Sequence, residues 1–150
     1  MHSLFNNIRY LFFVFVMLIS ACKKADTTIN KVPILDFVSV TPNDVHEFQQ
    51  ALVFTVHYKD GDGDLGENNP DAKNLFLIDN RIGIKYQYRL QQLSPSNSTI
   101  AIDGDFNVEL KTVALTDSSL VQNATFSIYV VDRAGNQSNT VTSSNVIIRK

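Results

Sequence analysis

The chain has 150 residues, enough for one ordinary domain and few for two. Thirteen basic against fifteen acidic residues give a formal charge of −2, so the basic footprint that neutralises phosphates is missing and nucleic-acid binding is not expected. A single cysteine rules out an intramolecular disulfide.

Residues 1–21 read apart from the rest. A polar start containing Arg9 is followed by ten consecutive apolar residues, Tyr10 to Ile19, and then by Ser20 and Ala21. That run is about half of the roughly 20 residues a membrane-spanning helix needs, and with the small residues behind it the segment reads as a secretory signal peptide. The triplet Ile19-Ser20-Ala21 directly before Cys22 resembles the lipobox of bacterial lipoproteins. The resemblance implies that Cys22 is acylated, becomes the first residue of the mature chain and anchors it to the outer membrane by lipid. Residues 22–31, the cysteine and "KKADTTINK", are polar and aperiodic and read as a flexible leader. In lipoproteins of the Bacteroidota, which this chain resembles, acidic residues soon after the cysteine direct export to the cell surface. Here Asp26 alone offers that, after two lysines, so the periplasmic and surface faces both stay open.

Beyond the leader, residues 32–150 carry the period-two signature of half-buried strands. A first run, residues 34–40, ends at the turn Thr41-Pro42-Asn43-Asp44. Leu52, Phe54, Val56 and Tyr58 then alternate with more polar neighbours, followed by the loop "DGDGDLG" at 60–66. Residues 75–78 precede an Asp79-Asn80-Arg81 turn, after which Ile82, Ile84, Tyr86, Tyr88 and Leu90 are expected to face inward. Ser94-Pro95-Ser96-Asn97 and Asp103-Gly104-Asp105 read as turns, the latter a hairpin. Phe106, Val108 and Leu110 form the next alternation. Phe126, Ile128 and Val130 follow, with a less polar outer face that suits a central strand. An Ala134-Gly135-Asn136 turn and a final run at 141–149 close the chain. About seven strands and no helix predict an all-β, immunoglobulin-like sandwich without the cysteine pair and tryptophan of antibody domains. The ending "FSIYVVDRAGNQSNTVTSSNVIIRK" resembles the last two strands of bacterial Ig-like and fibronectin-type modules. "FTVHYKDGDGDLGENNPD" resembles a strand and loop found in many Bacteroidota lipoproteins.

From Asp60, carboxylates fall at positions 1, 3, 5 and 12: Asp60, Asp62, Asp64 and Asp71. This is EF-hand spacing, but Leu65 occupies the sixth position, Asp replaces Glu at the twelfth and a strand precedes the loop, so an EF-hand is rejected. Five acids within twelve residues, Glu67 included, repel one another unless a cation joins them. Oxygen donors without cysteine or histidine point to calcium in a structural role. In a sandwich the loop at 132–136 lies at the same end, so Asp132 or Asn136 is expected to complete the ligand shell, or Arg133 to pair with the carboxylates if no metal binds. The competing reading is a solvated acidic turn whose aspartates bond nearby amides.

No catalytic constellation stands out. His2 leaves with the signal peptide, His46 sits in a polar connection and His57 points from the outer face of a strand. No enzyme activity is expected. Sugar-binding surfaces usually present flat aromatic platforms, whereas this chain has no tryptophan; Tyr86 and Tyr88 read as core and Tyr129 as the exposed aromatic. The sequence therefore points to a lipid-anchored envelope lipoprotein whose domain is a structural or protein-interaction module, an adhesin or accessory subunit. The alternative is a glycan-binding accessory lipoprotein.

Overall fold

The computed structural model describes residues 30–150; the signal peptide at 1–21, the lipidated Cys22 and the leader up to residue 29 lie outside the described residues. Ten strands form in chain order: β1 (Ile34–Thr41), β2 (Asp44–His46), β3 (Leu52–Asp60), β4 (Leu75–Asp79), β5 (Ile84–Tyr88), β6 (Ile102–Leu110), β7 (Val121–Ala124), β8 (Phe126–Val130), β9 (Val141–Thr142) and β10 (Val146–Arg149). There is no helix among the described residues.

One layer is the antiparallel sheet β1-β3-β6. The other consists of β5-β4-β8-β9 and β2-β10-β7, the latter holding the one parallel pair described, β2 with β10. The strands number ten against the seven expected: the final run is split into β9 and β10, β7 precedes β8 across Thr125, and β2, read in the sequence as a polar connection around His46, pairs with β10 in the second layer while β1 pairs with β3 in the first. Side chains patch the ladder beside β8 at two points. Phe126 N–H donates to Ser143 Oγ at 2.9 Å and Ser143 N–H to the Phe126 carbonyl at 2.8 Å. Ser138 does the same for Val130, with both bonds at 3.0 Å. Both serines are buried, so the hydroxyl replaces a ladder hydrogen bond where water cannot.

Period two decides what fills the space between the layers. Leu52, Phe54, Val56 and Tyr58 of β3 face Leu75 and Leu77 of β4 and Phe126, Ile128 and Val130 of β8, within one continuous buried cluster. Phe54 and Phe126 meet edge to face across the layers, centroids 5.0 Å apart, a geometry that adds to the burial of two full rings. β8 lies between β4 and β9, the central position its apolar outer face suggests.

Two sequence expectations change. Ile82 and Ile84, expected in the core, are about half exposed: Ile82 lies in the turn before β5, and Ile84 opens β5, which has a neighbour on one side only. Tyr86 and Tyr88 of the same strand are half-buried and pack against the core. Asp103-Gly104-Asp105 is no hairpin turn: it lies inside β6, where Gly104 pairs with Tyr58 and a Cβ would press on the tyrosine hydroxyl at 3.0 Å. The flanking Asp103 and Asp105 point outward and hold His57, at 3.2 and 2.8 Å.

Phe126→Ala removes a fully buried ring and is expected to lower stability by about 3–5 kcal/mol, read from the denaturation midpoint. A cost below about 1 kcal/mol would contradict the tight cross-layer packing.

Candidate metal centre

β3 does not stop being inward-facing at Tyr58. Its alternation carries on to Asp60, which is 2% exposed. β8 likewise runs Phe126, Ile128, Val130, and the next residue in phase, Asp132, is 7% exposed. These two strands belong to different layers, and their carboxylates come to the same end of the sandwich.

The loop between them is built around Leu65. Its side chain is fully buried and its N–H donates to Asp60 Oδ2 at 2.8 Å, closing residues 60–65 into a tight turn. Gly63 and Gly66 adopt positive φ of 72° and 86°, and a Cβ at either would collide with the carbonyl oxygen of Ile100 or of Gln91. Only glycine meets both demands. The segment at 90–94 walls the loop: Ser94 Oγ donates to the Gly63 carbonyl, Glu67 N–H to the Leu90 carbonyl at 2.9 Å and Leu93 N–H to the Leu65 carbonyl at 3.4 Å. From the other side, Ala134 N–H donates to Asp64 Oδ2 at 3.1 Å.

Within this frame carboxylate oxygens of Asp60, Asp62 and Asp64 lie within 4.8 Å of one another. One oxygen of each, Oδ1, is buried without a hydrogen-bond partner. Two oxygens on opposite sides of a calcium ion stand about 4.6–5.2 Å apart, twice the Ca–O distance, so the cluster could hold a metal ion.

Of the other residues singled out in the sequence, Asp132 adds its negative charge to Asp60 and Asp64, and Asn136 holds it in place. Asn136 N–H donates to Asp132 Oδ1 at 2.7 Å and Asn136 Nδ2 to Oδ2 at 2.8 Å. Asn136 thus acts through Asp132. Asp71 is exposed in a separate turn, its N–H bonded to Asn69 Oδ1 at 3.0 Å, and is not part of the cluster. The proline-containing turn at 69–72 carries its side chain away from the loop. Arg133 does not pair with the carboxylates; its guanidinium donates to the carbonyls of Gly66 at 2.8 Å and Gly63 at 3.4 Å. Ser94 and Leu65 escaped the sequence reading as parts of this centre, since a serine some 30 positions away and a leucine between two glycines carry no local signal.

The opposite end of the domain shows how this chain neutralises a buried carboxylate. Asp79, 2% exposed, accepts two bonds from the Arg81 guanidinium at 2.6 and 3.0 Å. No such ion pair serves Asp60, Asp62, Asp64 or Asp132 among the described residues. The electrostatic consequence is direct. Burial first, then the charges of Asp132, Asp62 and Asp60, push Asp64 up to about 6. Burial also raises Asp60 above the usual carboxylate range, against the pull of the Leu65 N–H.

No family model matches the chain, and no curated protein and no solved structure matches it significantly.

A raised carboxylate pKa means that the folded state holds a proton the unfolded chain has released, so stability falls as pH rises from the ordinary 3.8 through about 6. In chelator, the melting temperature is therefore expected to drop by roughly a few degrees between pH 5 and pH 7.5, and to drop less in Asp64→Asn. Asp44 and Asp117, whose values are lowered by Arg149 and by Ser119, act below this window. An equal drop in wild type and variant would remove Asp64 as its source.

Proposed function

We propose that this chain is a lipid-anchored lipoprotein of the cell envelope, tethered to the outer membrane through Cys22. Its immunoglobulin-like domain is stabilised by a calcium ion and serves as a structural or protein-interaction module. The observation that carries the calcium reading is the buried Asp60 Oδ1, which has no partner and converges with two like oxygens. An unpaired buried carboxylate costs several kcal/mol, and a divalent cation turns that cost into ligation. Asp60, Asp62 and Asp64 would hold the ion, and Asp132, its two oxygens held by Asn136, would add its charge beside them. A donor set made only of carboxylate oxygens on one loop suits calcium better than zinc or copper. With Asp60 at the end of one layer and Asp132 at the end of the other, the ion would tie the two layers together.

On the outer face of the second layer two aromatic rings engage each other. Phe76 and Tyr129, neighbours on β4 and β8, stack on each other at 4.6 Å with an interplanar angle of 14°. Their faces cover one another. Lys85 stands at nearly equal distance from both rings, 5.7 and 5.6 Å, and donates to the Tyr129 hydroxyl at 3.1 Å, so it lies beside the pair. One face of each ring is taken up by the other.

Calcium at 100 times its dissociation constant should add about 2.7 kcal/mol, several degrees in the melting temperature of a domain this size. Asp62→Asn is expected to reverse sign with conditions: more stable than wild type in chelator, where one repelling charge is gone, and less stable in calcium. A wild type indifferent to millimolar calcium would sink the metal reading. For the anchor, Cys22→Ser should move the protein from the membrane to the soluble fraction; unchanged membrane association would refute lipidation at that residue.

A further inference from the structure

The last residues before β1 run over the end of the domain that carries the carboxylates. The Asn30 carbonyl accepts a hydrogen bond from Gly61 N–H at 3.1 Å, and the Lys31 carbonyl accepts one from Asn136 Nδ2 at 3.4 Å. Residues 30 and 31, the last two of the expected leader, thus make hydrogen bonds to the domain. Both donors belong to the carboxylate centre: Gly61 sits between Asp60 and Asp62, and the same Asn136 amide nitrogen holds Asp132 Oδ2. Just beyond, Asn139 brackets the start of β1, accepting from Leu35 N–H at 2.7 Å and donating to its carbonyl at 2.8 Å.

Little else secures residues 30–32. Val32 is 40% exposed, and the segment stands over a cavity of about 360 Å³. Asn30, Val32 and Ile34 form one wall of that cavity, and Asp60 and Gly61 line another. The strap is thus held mainly by two hydrogen bonds whose donors take their positions from the carboxylate loops, and it shares a cavity lining with Asp60.

We infer that cation binding at the carboxylate centre and docking of residues 30–32 are coupled, so that the ion locks the N-terminal strap onto the end of the sandwich. The inference rests on the metal reading above and deepens it. With the cation bound, the two loops are fixed and both donors face the strap; with it removed, the repelling aspartates loosen the loops and release the strap. The ion then decides whether residues 30–32 are held against the end of the sandwich or released from it.

Cleavage after Lys31 by a lysine-specific protease reads the population of the released strap when opening is fast relative to cutting. The full-length chain in detergent is digested in calcium and in chelator. Cleavage at Lys31 is normalised to that at Lys23 and Lys24 in the same digest, and calcium binding to the same sample is measured by titration calorimetry. Coupling through two hydrogen bonds predicts that calcium slows the normalised Lys31 cut about tenfold and that Asp62→Asn abolishes the slowing. Calcium binding with an unchanged Lys31 rate overturns the coupling while the metal centre stands. No calcium binding overturns both.

Discussion

The architecture turns on the indivisibility of strand alternation. β3 cannot send Leu52, Phe54, Val56 and Tyr58 into the core without sending Asp60 after them, because successive side chains point to opposite faces and a slip of one residue would expose the whole set. β8 is under the same constraint, with Asp132 in phase behind Phe126, Ile128 and Val130, and so is β4, where Asp79 follows Leu75 and Leu77. Three strands of the sandwich therefore end in a buried carboxylate, and each needs a compensating partner.

The two ends answer that need differently. Asp79 has Arg81, whose guanidinium also bonds the Ala114 carbonyl and Gln122 Oε1 at 3.1 and 2.9 Å, so one arginine both neutralises the acid and pins the connection after β6. At the other end the nearest guanidinium, that of Arg133, is spent on loop carbonyls, and three carboxylate oxygens are left without partners. Arginine neutralisation gives a closed, permanent end. Aspartates gathered around a common point leave an end that, under the proposed calcium reading, a cation would neutralise in place of an arginine.

The acidic loop is shaped from three directions. Leu65 anchors it in the core, the segment at 90–94 and Ile100 wall it so closely that glycine is required at 63 and 66, and the loop at 132–136 closes it from the second layer. Such pre-organisation lowers the entropy lost when an ion binds, as rigid ligand sets bind more tightly than flexible ones. The proposed lipoprotein role and the proposed strap coupling place this end of the domain next to the membrane tether, where a rigid junction has mechanical meaning.

Much of this was legible in the residues alone. The alternations at 52–58, 106–110 and 126–130 announce an all-β sandwich, since burial on one face demands period two whatever the partners are. The crowding of Asp60, Asp62 and Asp64 announces the centre, and strand order brings Asp132 to it. The rest depended on neighbours distant in sequence. Ile84 reads as core but belongs to an edge strand, and only the sheet order shows that nothing covers it. Asp103-Gly104-Asp105 has turn composition, yet pairing with β3 and the Tyr58 ring over Gly104 hold it extended. Asp71 has the right spacing, but its turn takes it elsewhere. Ser94 and Arg133 look like loop residues until folding sets them against the carbonyls of Gly63 and Gly66. Local periodicity determined which faces are buried, because side-chain direction along a strand is a property of the chain itself. The tertiary structure alone decided which buried acids meet an arginine and which meet one another, because that depends on which ends of which strands are brought together.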